Sequence, residues 1–105
     1  MKKFVILLNF ILLAIGNIFA QAEIFGVVKD EDSGEVLFDA AVYVDSLQIG
    51  TTTDYNGYYE LPLKPGTYDV RFSYLGYATV NKTVTVTNSR KRLNINLKTE
   101  SQMLD

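Results

Sequence analysis

The chain has 105 residues, enough for one domain, and its 12 acidic and 10 basic side chains give a net charge of −2. It contains neither cysteine nor histidine, which excludes disulfides, thiol nucleophiles, histidine-based catalytic triads and the usual zinc sites. The acidic balance argues against nucleic acid as a partner, and we expect neither a cofactor nor a metal.

The first 22 residues have the pattern of a secretory signal peptide. Two lysines precede an apolar run over 4–15, and the small residues that follow place cleavage after Ala20 or after Ala22. A membrane anchor is the alternative, but two asparagines interrupt the segment and it is shorter than the roughly 20 apolar residues of a spanning helix. We therefore expect an exported domain over 23–98, a linker over 99–105 and no transmembrane segment in the mature chain.

Beyond the leader, apolar and polar side chains alternate with the period of half-buried β-strands. Alternating runs cover 40–45, 68–74, 80–87 and 93–98, and an apolar run covers 24–28. About seven short strands predict an all-β fold, an antiparallel seven-stranded β-sandwich. The predicted core residues are Val28, Val42, Val44, Tyr59, Leu61, Tyr68, Val70, Phe72, Val84, Val86, Ile95 and Leu97.

Turn-forming residues punctuate these runs. Asn56-Gly57 predicts a two-residue hairpin turn, since both residues tolerate positive φ. Pro65-Gly66 predicts a type II turn, in which the glycine takes the left-handed position. We expect positive φ at both glycines. The residues assigned to structural turns are Asn56, Gly57, Pro65, Gly66 and Gly76.

The order of these turns resembles the carboxypeptidase-like regulatory domain. The matching segments are Gly50-Thr51-x-Thr53-Asp54-x-Asn56-Gly57-x-Tyr59-x-Leu61, Pro65-Gly66-x-Tyr68-x-Val70 and Ser73-Tyr74-x-Gly76-Tyr77. The resemblance covers nearly all of residues 23–98 and implies a transthyretin-like sandwich. With a signal peptide directly before it, the domain is similar to the amino-terminal extension of SusC-like TonB-dependent outer-membrane receptors, in which a plug and a membrane β-barrel follow. That similarity implies a place in the periplasm or at the outer membrane. It also implies that the partner is the plug and barrel of such a receptor or another cell-envelope protein.

Several clusters could carry other chemistry, but each has a simpler explanation. The acidic residues of 30–35 and the basic residues of 90–92 fit solvated turns better than a catalytic pair or a phosphate or membrane site. Asp54–Gly57 could begin a calcium loop, but the closing twelfth position is Pro65, and an Asx turn explains the segment. The related adhesin domains that form Lys-Asn isopeptide bonds use a glutamate where this chain has Phe72.

The resemblance does not itself name a function, since such modules are attached to many larger proteins. We favour a non-catalytic exported module, either the amino-terminal extension of a TonB-dependent nutrient receptor or a fragment of one. The alternatives are an accessory domain of a secreted peptidase and a stand-alone binding module. In the latter, Tyr55, Tyr58 and Tyr77 would stack against a sugar or peptide. The polar tail from Thr99 is predicted to be a mobile connector, whereas a buried Leu104 would favour the stand-alone module.

Overall fold

The protein is described here by a computed structural model that covers residues 22–103. The predicted signal peptide lies outside the described residues except for Ala22, and so does Leu104. Within that range, no helix is long and apolar enough to cross a membrane. The elements are β1 (Glu23–Asp30), β2 (Ala41–Val44), β3 (Ile49–Thr52), β4 (Tyr58–Pro62), β5 (Gly66–Ser73), β6 (Val80–Val86), β7 (Arg90–Arg92), β8 (Ile95–Leu97) and one helical turn, α1 (Glu100–Met103).

The strands form two sheets that pack face to face, which confirms the predicted all-β sandwich. Sheet one has the order β4-β1-β7, with β8 continuing the β7 edge along β1, and sheet two has the order β3-β2-β5-β6. Because β7 and β8 share one edge, the sandwich has seven strand positions. Most pairs are antiparallel, but β7 and β8 run parallel to β1. The chain reaches this edge from sheet two, so a connection between the sheets sets the strand direction.

The shared edge of β7 and β8 is broken at Leu93 and Asn94, where the strand bulges over β1. The amide of Leu93 donates to the carbonyl of Phe25 over 2.7 Å. The Asn94 side chain then accepts from the amide of Val27 at 3.0 Å, in place of a backbone carbonyl. A Cβ on Gly26 would lie 2.2 Å from the Leu93 carbonyl oxygen. A glycine is therefore required here for close backbone approach.

The core between the sheets follows the predicted alternation. Every predicted core residue is buried except Tyr68, which is half-buried because its hydroxyl donates to the carbonyl of Lys64 at the domain surface, over 2.6 Å. Tyr59 is buried, and its hydroxyl reaches the carbonyl of Leu93 at 2.6 Å. The further buried apolar residues, all absent from the predicted core, are Ile24, Leu37, Ala40 and Leu63.

Asn56-Gly57 lies in a turn, but the hairpin predicted there is wrong. The flanking strands β3 and β4 belong to different sheets, so the turn carries the chain from sheet two to sheet one. The Asp54 carboxylate accepts from the amides of Asn56 at 2.8 Å and Tyr58 at 3.0 Å, which makes an Asx turn. Gly57 has the expected positive φ, 73°, whereas Asn56 is not among the positive-φ residues. The Gly57 carbonyl then joins sheet one by accepting from the amide of Val28 at 2.9 Å.

The type II turn predicted at Pro65-Gly66 is also wrong. The φ of Gly66 is 159°, positive in sign but close to fully extended, and Gly66 is already the first residue of β5. Its cross-strand partner is Val86, so pairing with β6 fixes an extended backbone where a turn would need a left-handed one. The chain bends at Pro65 and enters the strand directly.

Candidate functional site

Three connections meet at the end of the sandwich where β1 finishes; we call this the exit end. It comprises the loop 31–38, the turns 54–57 and 74–77, and Thr99. The carbonyl of Val28, in β1, accepts from the amide of Leu37 over 2.9 Å. The amide of the same residue donates to the carbonyl of Gly57, in the second connection. Val28 therefore holds the first two connections side by side, and a hydrogen bond from Tyr77 to Asp30 brings the third to the end of β1.

Tyr77 fastens the third of these connections to the end of β1. Its hydroxyl donates to the Asp30 carboxylate over 2.6 Å, and its ring meets Tyr74 edge to face, with centroids 5.4 Å apart. This hydrogen bond raises the pKa of Tyr77 to about 12 and holds the pKa of Asp30 below its ordinary value of 3.8. The tyrosine is thus engaged within the domain, where it joins the connection between β5 and β6 to sheet one.

Tyr55 is the most open of the three predicted ligand-contact tyrosines. It is 81% exposed and stacks on Phe38, with ring centroids 4.2 Å apart and planes 2° from parallel. The residue after Phe38, Asp39, has a left-handed backbone with φ of 66°. Such a conformation is unfavourable outside glycine and is retained only where the surroundings impose it.

Buried Thr53 imposes that conformation. Its hydroxyl donates to the carbonyl of Leu37 and accepts from the amide of Ala40 at 2.9 Å, while its carbonyl accepts from the amide of Asp39 at 3.0 Å. Thr53 is the one buried polar side chain among the described residues. Its hydrogen bonds hold the segments that carry Phe38 and Tyr55 in one arrangement.

Tyr58 lies away from both, on the outer face of sheet one. Its hydroxyl donates to Glu60 over 2.8 Å, which raises the pKa of Tyr58, and it accepts from Arg90 at 3.1 Å. The Arg90 guanidinium also lies 4.1 Å from the centre of the Phe25 ring, and Arg92 lies 5.3 Å from it. The basic cluster predicted as a solvated turn therefore forms β7, and two of its members cover an aromatic ring.

The three tyrosines therefore do not form one platform: no ring contact joins any two of them within 22–103. Tyr55 and Tyr77 share the exit end but belong to different turns, and Tyr58 belongs to a sheet face. Their role in ligand contact stays a prediction. Phe38 and Leu75 are exit-end residues that the sequence interpretation did not select. For Leu75 a signal existed, since it is an apolar residue inside a turn.

Hydrogen bonds from backbone amides to the Asp30 carboxylate organise the acidic loop after β1. One Asp30 carboxylate oxygen accepts from the amides of Asp32 at 2.8 Å and Ser33 at 2.9 Å. Glu31 lies 3.5 Å from the ammonium of Lys98. Residues 22–103 contain no group of three or more acidic side chains placed to hold a metal ion.

An apolar groove of about 680 Å³ lies at the opposite end of the sandwich, where β1 begins. It includes Ala22, the first described residue, whose carbonyl accepts from the amide of Leu63 at 3.1 Å. Leu47, Ile49 and Tyr68 form other parts of its wall. The chain thus enters the domain at this groove and leaves it at the exit end.

The outgoing chain is tied to the turn 74–77. Thr99 forms a bridge with Tyr77, the amide of Ala78 donates to the carbonyl of Lys98 over 2.8 Å, and the amide of Glu100 donates to the carbonyl of Gly76 over 3.0 Å. The hydrogen-bonded domain therefore extends two residues past the predicted boundary at residue 98.

Solved structures support the fold. A cohesin–X-dockerin complex from Acetivibrio cellulolyticus contains a chain similar to this one with a TM-score of 0.59 at 22% identity, over 70% of this chain and 51% of that one. At this identity the likeness concerns the fold alone.

Among curated proteins, TonB-dependent receptor P39 of Formosa agariphila is 34% identical over 102 residues, which cover 97% of this chain and 9% of the receptor. TonB-dependent receptor SusC of Bacteroides thetaiotaomicron is 31% identical over 112 residues, covering 100% of this chain and 10% of the receptor. This chain thus spans about a tenth of the length of the two receptors.

A family model supplies the assignment over the folded part of the chain. The model of the CarboxypepD_reg-like domain matches residues 24–105, which include all of the sandwich after its first residue. Its match agrees with the turn pattern and with the observed pair of sheets. The chain belongs to the CarboxypepD_reg-like domain family.

Proposed function

We propose that this chain is the amino-terminal module of a TonB-dependent outer-membrane receptor. The observation that carries the proposal is the extent of the receptor matches, which take in 97% and 100% of this chain but about a tenth of each receptor. A match of that extent includes the leader and the tail as well as the sandwich. The segment order of this chain therefore resembles the start of a receptor.

The proposed role is non-catalytic. Asp30, the last residue of β1, and Tyr77 of the exit end could act as acid or base, but they are bonded to each other, and Asp30 also accepts from backbone amides. General acid–base catalysis needs groups that converge on a substrate. We infer an exported module at the cell envelope whose partners are the plug and barrel that follow it in the receptor.

Fractionation of the source cells tests this proposal. An antibody raised against the sandwich should detect a protein several times larger than this chain, in the outer-membrane fraction. A band of this chain's own mass in the culture medium, with none in the outer membrane, would contradict it.

The Phe38–Tyr55 stack favours a second candidate, a carbohydrate-binding module, because Tyr55 presents a flat ring face to solvent on a rigid turn. Affinity electrophoresis in gels that contain amylopectin, xyloglucan or galactomannan tests it. Retardation that Tyr55→Ala abolishes and Leu75→Ala preserves would support binding through this stack. Unretarded migration in all three gels would contradict it.

A further inference from the structure

The exit end presents four of the six exposed large apolar side chains of the described residues, including the two most exposed, and the other two lie at the groove. Leu75 is 96% exposed at the tip of its turn, and the Phe38–Tyr55 stack lies on the neighbouring connections, with Val36 beside Gly57. Soluble domains tolerate single exposed apolar residues, but several on adjoining loops mark an interaction surface.

The outgoing chain leaves from the same surface. The amide of Glu100 bonds the carbonyl of Gly76, the residue next to Leu75. Five further residues, even fully extended, span at most about 18 Å. A domain that follows residue 105 in a longer protein therefore begins within reach of Leu75 and Tyr55.

Charge adds a second requirement on what covers this surface. Carboxylates of Asp32, Glu35 and Asp54 belong to the same connections as the apolar side chains, and that of Glu31 is paired with Lys98. A partner that fits this end has an apolar centre surrounded by basic residues, since like charges would oppose docking.

We propose that the exit end docks onto the domain that directly follows it in the receptor, with Leu75 and the Phe38–Tyr55 stack as anchors. The inference rests on the proposed function and adds to it the surface and the chemistry of the contact. The module is then not a freely tethered appendage, because its tail is bonded to the turn that carries one anchor.

The lack of native cysteine permits a direct test, since one engineered thiol is unique in this chain. Leu75→Cys and Asn56→Cys place a thiol at the exit end, and Asn56 leaves both stacked rings intact. Ser89→Cys, in the exposed turn between β6 and β7, is the matched control at the opposite end. Each variant is made in this 105-residue chain and in the full-length receptor with its other cysteines replaced by serine, and the rate of maleimide labelling is measured.

We expect both exit-end thiols to react at least about tenfold more slowly in the receptor than in the 105-residue chain, with the Ser89→Cys rate unchanged. Adding Leu75→Arg to Asn56→Cys should restore fast labelling in the receptor, because it places a cation where the partner is basic and apolar. Equal rates in the two proteins for all three thiols would overturn the docking proposal while the receptor proposal stands. A reading frame with no receptor after residue 105 would remove the proposed function, and the docking with it.

Discussion

Two pairs of aromatic rings in this domain are held together by different means. Between the sheets, Tyr59 and Phe72 meet edge to face with centroids 5.7 Å apart, and both are buried. At the exit end, Phe38 and Tyr55 stack face to face in contact with water. Burial fixes the first pair. The second pair is fixed by the hydrogen bonds of the connections that carry its two rings.

The difference indicates that the rings that stabilise the fold and the rings available to a partner lie in separate parts of the molecule. Interior rings contribute by removing apolar area from water, about 25 cal/mol per Å². The exit-end rings are in contact with water, so their apolar area would contribute in this way only when a partner covers it. Substitutions in the interior should therefore change the free energy of unfolding, and substitutions of exposed exit-end side chains should not.

The largest effect is expected for Phe72→Ala. Truncating this fully buried ring leaves a cavity between the sheets and should lower the free energy of unfolding by about 3 to 5 kcal/mol. Urea denaturation followed by circular dichroism measures the change. An unchanged midpoint would show that the interior does not depend on this ring and would remove the contrast with the exit end.

Gly57→Ala should come next, with Gly34→Ala as its matched control. Both glycines have left-handed φ, 73° and 74°, so alanine at either should lower the free energy of unfolding by about 1 to 2 kcal/mol. At Gly57 the new Cβ would also lie 2.8 Å from Val36 Cβ and 2.9 Å from the Val28 carbonyl oxygen, whereas nothing is within 4 Å at Gly34. We expect about 1 to 3 kcal/mol of additional loss at Gly57. Equal losses at the two positions would contradict the close packing of this turn on β1.

Thr53→Val tests whether hydrogen bonds fix the exit-end stack. Valine keeps the shape but leaves the Ala40 amide and the Leu37 carbonyl without their partner, so we expect a loss of about 1 to 3 kcal/mol in the free energy of unfolding. Thr53→Ser, which retains the hydroxyl, should recover most of it. Tyrosine fluorescence should respond to Thr53→Val if the Phe38–Tyr55 arrangement depends on this residue. Identical stability of the valine and serine variants would argue that packing alone is enough.

Tyr77→Phe should have a smaller effect that depends on pH. The hydrogen bond lowers the pKa of Asp30 in the folded state, so its contribution is present above pH 3.8 and is lost as the pH falls through that lowered pKa. It raises the pKa of Tyr77 from 10.0 to about 12, so the contribution is present below pH 10 and is lost as the pH rises toward 12. The difference in stability between the wild type and Tyr77→Phe should be greatest near neutral pH and shrink at both extremes. A difference that does not vary with pH would contradict this assignment.

Leu75→Ser should have the smallest effect, within about 0.5 kcal/mol of the wild type, because the side chain is almost wholly in solvent. Thermal melting of the two proteins measures it. A clear loss of stability would show that Leu75 contributes to interior packing, and it would contradict the contrast between the interior and the exit end.

The sequence predicted the interior well because strand alternation is a local property. Val42, Val70 and Phe72 are buried as the two-residue period requires. Ile24 was harder to assign, because its strand is apolar on both faces and offers no alternation. Leu37 lies outside any regular run, and the hydrogen bond from its amide to Val28 holds its segment against β1, where its side chain is buried.

Pairing between distant segments was not predictable in the same way. Asn56-Gly57 has the composition of a hairpin turn, yet its flanking strands pair with other partners, and no local signal distinguishes the two outcomes. Gly66 likewise depends on pairing with Val86. The Phe38–Tyr55 stack arises because Thr53 brings two connections together, which is a consequence of tertiary hydrogen bonds.

The position of β1 at the centre of sheet one also governs how the domain folds. Its neighbours on both sides are made later in the chain, and the bond between Val27 and Asn94 spans 67 residues. Loop closure over such a distance is slow, so mixed β topologies of this kind fold in milliseconds to seconds and only after the last strand is available. Sheet one therefore cannot be completed until residue 97 has been synthesised, so its central strand waits for its last partner while nearly all of the described chain is made.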